Sequence, residues 1–393
     1  MEVKQVATLV NAVSDELIGN SAVINEDLSN VVDAGTAIFD NTSYDNFVRS
    51  LVDHIGRVIF VDRTYTGNTL AILRDSWEYG SVLEKISAGI PDATENESWE
   101  LTDGASYDPN KFTKPEVMAK FFDKRITFEI PLSVTDKQVK SAFSSATQLN
   151  AFVSMLWGMV DKSMELKLEG LASRLVNSFI GATVAAEFPS VADNDYSGST
   201  GVKAINLLKL YNDQFNPSPA LTKDNCMFSA EFIRFATLII SKTLSRMTRM
   251  STLFNIGGQP RFTPVDKQHL ILLSDFAAAS KVYLQADTFH DDLVRLGRGY
   301  TEVPYWQGSG TGYALSSVGN VHVEIPSGDT TKEINLGYVV GVAFDHDACM
   351  MACLDERTTS NYNAKAEFTN YWRKVDCGLI RDENEEFIVF FVA

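Results

Sequence analysis

The residues best suited to bind a metal lie close together near position 346. The segment Asp345–Cys349 contains a histidine, a cysteine and two aspartates, and Cys353 follows four positions later. In a helix, Cys349 and Cys353 would share one face, with His346 three positions before Cys349. These ligand types suit zinc, but strong zinc motifs contain paired short cysteine spacings, which this segment lacks. The sequence therefore favours buried thiols, and a metal-dependent enzyme using His346, Cys349 and Cys353 remains an alternative.

Other motifs that could support catalysis or cofactor binding are incomplete. The glycine-rich segment Gly308–Gly312 lacks the lysine of a phosphate-binding loop, so we interpret it as a surface loop. No Gly-x-Ser-x-Gly nucleophile motif is present, and His290 with its two following aspartates is typical of a polar loop or a helix start. The sequence thus predicts a protein that is not an enzyme, with no catalytic, metal-binding or cofactor-binding residues and no cofactor.

Charged residues separate into an acidic and a basic segment near position 110. Residues 91–110 contain six acids and no base, whereas residues 111–125 contain five bases. An acidic tip beside a basic strand is self-complementary, which favours head-to-tail contacts between copies of the chain. The candidate contact residues here are Asp92, Glu95, Glu97, Glu100, Lys111, Lys114, Lys120, Lys124 and Arg125.

A second basic group falls in residues 232–261, which contain five bases and no acid. Lys242, Arg246 and Arg249 follow one another at i, i+4 and i+7, so they would share one helical face. That face would contact nucleic-acid phosphates, contact an acidic neighbour, or remain solvated. We add these three residues to the candidate contacts between copies.

Composition limits the class of protein. The chain of 393 residues has 51 acidic and 34 basic residues, a net charge of −17, which disfavours a general nucleic-acid binder. Apolar residues make up 45%, enough for one large or two medium cores. No apolar run approaches the roughly 18 residues of a membrane helix, and no secretory signal is visible. The four scattered cysteines predict reduced thiols in a cytosolic setting.

Hydrophobic periodicity predicts the elements that would position these residues. Residues 1–40 predict an extended or partly helical arm, and residues 43–57 predict a helix. A long two-stranded excursion follows, beginning with a strand at 58–61 and ending in a half-buried strand where Ile126, Phe128 and Ile130 alternate with polar residues.

The clearest element begins at Thr135, which forms a capping-box pattern with Gln138. From there a helical pattern of more than 40 residues continues to about residue 179, which is unusually long for a compact enzyme core. A mixed region follows, with helices predicted near 201–213 and 229–248. Strands are predicted at 226–228, 270–273, 282–284, 321–325, 338–344 and 386–392.

This order of elements resembles the major capsid protein of tailed bacteriophages, which has the HK97-type fold. Residues 117–160 are the most similar part, where the second strand of an extended loop leads through Leu132-Ser133-Val134-Thr135-Asp136 into a spine helix. The tail from Asn363 to Ala393 is compatible with the same family. The resemblance implies an α+β, HK97-like capsid fold.

The resemblance also implies a division of the chain into the parts of such a subunit. The N-terminal arm and a short helix would occupy residues 1–57, and the extended loop 58–132. The spine helix and peripheral domain would occupy 133–200, the axial domain 201–330, the return to the peripheral domain 331–362, and the axial C-terminal strands 363–393.

The function implied is a structural one, as a virion component assembled in the host cytoplasm. Copies would form hexamers and pentamers of an icosahedral head shell around the double-stranded DNA of a tailed phage. Scaffold, portal and decoration proteins would be partners, contacts with packaged DNA would be weak and non-specific, and no membrane would be involved. An encapsulin-type nanocompartment shares the fold in this resemblance, and a phage tail or other ring protein is a further alternative.

Overall fold

The computed structural model of the protein describes residues 3–19, 23–42, 46–51, 70, 72–74, 83–91, 93, 96–107, 110, 114, 116–142, 145–191, 194–285, 299–307, 318–327 and 330–393. The chain divides into two compact units. The first comprises Met1–Ser76, Arg125–Ala172 and Met351–Gly378, and the second comprises Trp77–Lys124, Ser173–Met350 and Leu379–Ala393.

The N-terminal part of the first unit is helical. Helices α1 (Val3–Ile18) and α2 (Val31–Asn41) are followed by helical residues at 46–51. The rest of the helix predicted at 43–57 and the strand predicted at 58–61 lie outside the described residues. Buried Val6, Val10 and Val13 recur at spacings of three and four, so α1 has one apolar face that joins the core of the unit.

A sheet forms the other part of the first unit. Its strands are β1 (Leu73–Arg74), β11 (Cys349–Asn363), β12 (Phe368–Arg381) and β4 (Arg125–Thr135), and their order is β1–β11–β12–β4. Strand β4 runs antiparallel to β12, from Arg125 opposite Gly378 to Thr135 opposite Phe368. Burial alternates along β4, with Phe128 and Ile130 buried, which confirms the predicted alternation.

The predicted capping box is confirmed. The Gln138 amide donates to Thr135 Oγ1 at 3.3 Å, and the Thr135 amide donates to Gln138 Oε1 at 3.1 Å, at the start of α3 (Asp136–Ala142). The helical pattern predicted after Thr135 forms two helices. Ser145 accepts a hydrogen bond from the Gln148 amide at 3.2 Å, so it caps a second helix, α4 (Ala146–Glu187). With 42 residues, α4 is about 63 Å long.

The sheet of the second unit surrounds the fully buried strand β13 (Phe387–Val392). Its order is β5–β13–β10–β6–β7, with β5 (Ala204–Asn206), β6 (Gln268–Leu273), β7 (Thr301–Val303) and β10 (Tyr338–Asp345). On one face, Ile388 and Phe390 join the apolar core of the unit. On the other, Phe387 stacks on Phe179 with ring centroids 4.0 Å apart. Both faces of β13 are thus covered, which explains its unbroken apolar sequence.

The helices of the second unit correct three sequence predictions. Helix α5 (Leu207–Phe215) begins only after β5, because the Asn206 side chain caps it by accepting from the Lys209 amide. Residues Cys226–Phe228 form a 3-10 turn rather than a strand, directly before α6 (Ala230–Arg246). The strand predicted at 282–284 is the end of α7 (Ser274–Gln285), because such a short apolar run is ambiguous between a helix and a strand.

Two hairpins complete the second unit: β2 (Leu83–Ala88) with β3 (Val117–Phe122), and β8 (Val321–Ser327) with β9 (Thr330–Leu336). Short 3-10 turns lie at Glu97–Trp99 and Val265–Lys267. Among the described residues, no helix has both the length and the apolarity that spanning a bilayer requires.

The close approach of β8 to α4 yields a stability prediction. A Cβ atom at Gly181 would overlap Val323 Cγ2 and lie 3.1 Å from Ile325 Cδ1, whereas a Cβ at Gly170 would meet nothing within 4 Å. We expect Gly181→Ala to lower the free energy of unfolding by about 1–3 kcal/mol through overpacking. Gly170→Ala, the matched control in the same helix, should raise it by up to about 1 kcal/mol. Equal stability of the two variants in thermal and urea unfolding would contradict this packing.

Candidate contact surface of the two-stranded ribbon

The ribbon, defined as β2 and β3, places two lysines directly opposite each other. Its register runs from Leu83 opposite Phe122 to Ala88 opposite Val117, which pairs Lys85 with Lys120 across the strands. Like charges directly opposite each other destabilise a strand pair. The ribbon therefore requires anionic partners on the face that carries these two side chains.

Those partners come from the acidic turn, defined as residues 382–386 between β12 and β13. Lys85 Nζ lies 2.8 Å from Asp382 Oδ2 and 2.6 Å from Glu385 Oε1. Lys120 Nζ lies 3.1 Å from Asp382 Oδ1, so this carboxylate bridges both lysines. Arg261 Nε lies 3.4 Å from Glu385 Oε1 and adds a third cation. We call these four side chains of the ribbon and turn, Lys85, Lys120, Asp382 and Glu385, the ionic anchor.

Electrostatics keep the anchor charged despite its burial. The Asp382 side chain is 2% exposed, and burial by itself would raise its pKa. Hydrogen bonding and charge from Lys85, with the charge of Lys120, outweigh burial and hold the pKa of Asp382 below its ordinary value. For Lys85, burial would lower the pKa, but the bonds to Asp382 and Glu385 raise it. Both partners therefore remain ionised at neutral pH.

The backbone of the acidic turn is fixed on several sides. The Asp382 amide donates to the Ala348 carbonyl at 2.9 Å, and the Gly257 amide donates to the Glu383 carbonyl at 2.8 Å. Within the turn, the Asn384 amide donates to Asp382 Oδ1 at 3.1 Å. The anionic side of the anchor is thus preorganised by the turn at 346–348 and the loop at 257.

Next to the anchor lies a buried acid with a different environment. Glu386 is fully buried, its Oε2 accepts from Thr263 Oγ1 at 2.6 Å, and its Oε1 has no hydrogen-bond partner among the described residues. Burial, together with the negative charges of Asp345 and Glu385, raises the pKa of Glu386 to about 7. Asp382 and Glu386, four positions apart, therefore have pKa values displaced in opposite directions.

The opposite side of the ribbon is apolar and exposed. We define the outward face as Glu84, Ile86, Ala88, Val117, Ala119 and Phe121, which the register aligns on one side of the strand pair. Ile86, Val117 and Phe121 are each more than 60% exposed. In the chain between the strands, Trp99 is 96% and Leu101 is 65% exposed. Large apolar side chains exposed on one face, as Ile86, Val117 and Phe121 are, are typical of a contact surface.

The candidate contacts predicted near residue 110 have different surroundings. Asp92, Glu95 and Lys111 lie outside the described residues, and Glu97 belongs to the 3-10 turn before Trp99. Lys120 is engaged within its own subunit through the ionic anchor. The remaining four are exposed: Glu100, Lys114, Lys124 and Arg125.

The structure places the three predicted bases at exposed positions on α6 and just after it. Lys242 and Arg246 are exposed on α6, and exposed Arg249 follows just beyond its end. The opposite side of α6 is buried through Phe232, Ile233, Ile240 and other residues of the core. The three bases therefore point to solvent in the single subunit.

The structure corrects the geometry of the metal-site alternative. Cys349 begins strand β11, and residues 346–348 form a turn, so the helical face that the alternative requires does not exist. His346 Nδ1 lies 3.0 Å from His269 Nε2 instead, and Cys353 Sγ lies 3.7 Å from Cys377 Sγ. No group of three or more potential metal ligands is found among the described residues.

Sequence reasoning missed Lys85, Asp382 and Glu385. The segment from Arg381 to Glu386 contains four acids directly before a strongly apolar strand. Such a run is typical of a solvated turn, yet Asp382 and Glu386 are almost completely buried. The concentration of acids was the available signal, but their partners lie about 260–300 positions away along the chain.

Comparisons with known proteins agree with the fold. The model of the Phi29-like phage major capsid protein family matches residues 7–391. A chain in the structure of the head fiber and inner core protein gp22 of native bacteriophage P68 has 9% identity and a TM-score of 0.50, covering 83% of this chain and 84% of that chain. The capsid of Staphylococcus phage Andhra has 9% identity and a TM-score of 0.49, covering 84% of each chain. No curated protein matches.

The ionic anchor yields a prediction for ribbon stability. Asp382→Asn removes the charge shared by Lys85 and Lys120. Both lysines are partly exposed, so water compensates part of the loss, and we expect the free energy of unfolding to fall by about 1–3 kcal/mol. Amide hydrogen exchange should accelerate in β2 and β3. Glu302→Gln, which removes an exposed pair with Lys281, is the control and should change stability by less than about 0.5 kcal/mol. Unchanged exchange in the ribbon of Asp382→Asn would contradict the anchor.

Glu386 yields a prediction for pH dependence. With a pKa raised from 4.5 to about 7, the folded protein binds more protons than the unfolded chain between these values. The stability contributed by neutral Glu386 is therefore full below pH 4.5 and is lost as the pH rises to about 7, on the order of 3 kcal/mol. Glu386→Gln should flatten this part of the curve of unfolding free energy against pH. The exposed Glu324→Gln should leave it unchanged, and an equal slope in both variants would refute the assignment.

Proposed function

This chain belongs to the family of Phi29-like phage major capsid proteins, and we propose that its copies associate into hexamers and pentamers through the outward face of the ribbon. The protein is a structural subunit of a tailed-phage capsid and a component of the virion. The α+β, HK97-like fold implied by the sequence is confirmed as a phage capsid fold.

The observation that carries the proposal is the exposed apolar outward face. Ile86, Val117 and Phe121 contact water in the single subunit, although burying such side chains is worth about 1.5–3 kcal/mol each. The internal anchor holds the other side of the ribbon, so the outward face remains available to a neighbouring copy. None of the described residues of the second unit covers these side chains.

Charge complementarity between copies is the second part of the proposal. The exposed Glu100 and the acids near it would approach basic residues of a neighbour, head to tail. Exposed charges give orientation and specificity more than affinity, so they fit a role in selecting the register of the contact. The proposed basic partners are Lys111, Lys114, Lys124, Arg125, Lys242, Arg246 and Arg249, and the proposed acids are Asp92, Glu95, Glu97 and Glu100.

Further partners follow from the role of a head shell. We propose a scaffold protein, a portal and decoration proteins as partners during assembly in the host cytoplasm. The shell would enclose double-stranded DNA, and a net charge of −17 would keep contacts with it weak and non-specific. An encapsulin-type compartment shares the shell architecture, but the family that matches is one of phage capsid proteins.

The proposal predicts an assembly defect that leaves the subunit folded. Phe121→Ser removes the largest apolar side chain of the outward face, and the loss recurs in every copy, so we expect the yield of closed particles to fall at least about tenfold. The measurement is electron microscopy with sedimentation velocity, after co-expression with the genes adjacent to this one.

A matched control tests whether any exposed phenylalanine would have this effect. Phe228 is 77% exposed on the 3-10 turn before α6, which is not part of the ribbon, and Phe228→Ser should preserve particle yield. Circular dichroism should show the wild-type fold for both variants. Normal shells from Phe121→Ser would exclude the outward face as the contact.

A further inference from the structure

Two of the four cysteines lie side by side on neighbouring strands. Strands β11 and β12 are adjacent in the sheet of the first unit and are joined by a four-residue turn at 364–367, so they form a hairpin. Cys353 lies on β11 and Cys377 on β12, with their sulfur atoms 3.7 Å apart. A sulfur–sulfur bond is about 2 Å long, so two thiols this close on adjacent strands need only a small change in side-chain torsion to form one.

We propose that Cys353 and Cys377 are a redox-responsive pair, which remains as two thiols in a reducing cell and closes to a cross-strand disulfide in an oxidising medium. Reducing cytosol maintains thiols, whereas the medium outside a cell does not. The disulfide itself follows from the hairpin geometry. Its consequence for the virion, a shell that becomes more stable after release, rests on the proposed function.

The two thiols have unequal access to an oxidant, which sets the order of the reaction. Cys353 is partly exposed, whereas Cys377 is fully buried. The hydrogen bond with Cys353 and burial both raise the pKa of Cys377, so its thiolate forms only rarely. Cys353 is therefore the first to react, and Cys377 closes the bond.

With a low-molecular-weight disulfide such as oxidised glutathione as the oxidant, the disulfide forms in two thiol–disulfide exchange steps. The Cys353 thiolate attacks one glutathione sulfur, the glutathione disulfide bond breaks, and one glutathione thiolate leaves. The Cys377 thiolate then attacks the Cys353 sulfur and displaces the second glutathione. The two cysteines lose two protons and two electrons in total, and glutathione disulfide is reduced to two glutathione thiols that take up the protons.

The other two cysteines have different surroundings and serve as internal references. Cys226 and Cys349 are fully buried, and burial raises the pKa of Cys226 to about 12. Cys226 Sγ contacts the Lys223 carbonyl at 3.5 Å rather than a second thiol. Burial also raises the pKa of Cys349. Neither is expected to react with glutathione in the folded protein.

The test counts thiols in the purified protein before and after treatment with oxidised glutathione, followed by non-reducing peptide mapping by mass spectrometry. The number of thiols titrated in denaturant should fall from four to two, with a single linkage between the peptides of Cys353 and Cys377. The melting temperature should rise by a few degrees, because the bond constrains the unfolded chain, and dithiothreitol should reverse the rise. Cys353→Ala should retain its remaining thiols, whereas Cys226→Ala should still form the linkage.

Several results would overturn the proposal. These are four thiols after oxidation, a glutathione adduct at Cys353 that never closes, or a linkage to Cys226, Cys349 or a second chain. The wild-type thiol count decides the question even if a variant fails to fold. The same measurement on subunits that do not assemble separates failure of the disulfide from failure of the proposed shell function.

Discussion

The bridging of Lys85 and Lys120 by Asp382 is the interaction on which the geometry of the ribbon depends. An isolated two-stranded ribbon is at best marginally stable, and this one also places two ammonium groups directly opposite each other. One carboxylate at 2.8 and 3.1 Å from the two amines converts that repulsion into a shared attachment. This attachment, together with the pair between Lys85 and Glu385, holds the lysine side of the ribbon on the acidic turn and leaves the apolar side facing water.

The acidic turn can serve as an attachment point because the strand after it is fully buried. All six residues of β13 are buried, with Phe387 against Phe179 on one face and Phe390 in the core on the other. A turn leading into such a strand has little freedom to move. Its charges are therefore held in position by the packing of β13, which limits the conformational entropy that forming the anchor costs.

Local patterns were predictable from the sequence, whereas the partners of charged residues were not. The Thr135–Gln138 capping box and the alternation along β4 involve residues within a few positions of one another, and both are confirmed. The prediction of a strand at 282–284 was wrong because three consecutive apolar residues are too few to show helical or strand periodicity. Lys120 was identified as a contact residue, but its partner lies 262 positions away, and only the folded sheet brings Asp382 to it.

The division of the ribbon into a charged side and an apolar side suits assembly better than the reverse arrangement would. Burying an ion pair between subunits requires both ions to lose water at the moment of association, and that cost can cancel the attraction. In this protein the lysines meet their carboxylates within one chain, so that cost is incurred during folding. The apolar side chains remain exposed for the proposed contact between copies, where burial is favourable without precise geometry. If the lysines faced outward, each contact between copies would have lower affinity, because the lysines would lose water on association. Their attraction to a neighbour would be appreciable only at low salt.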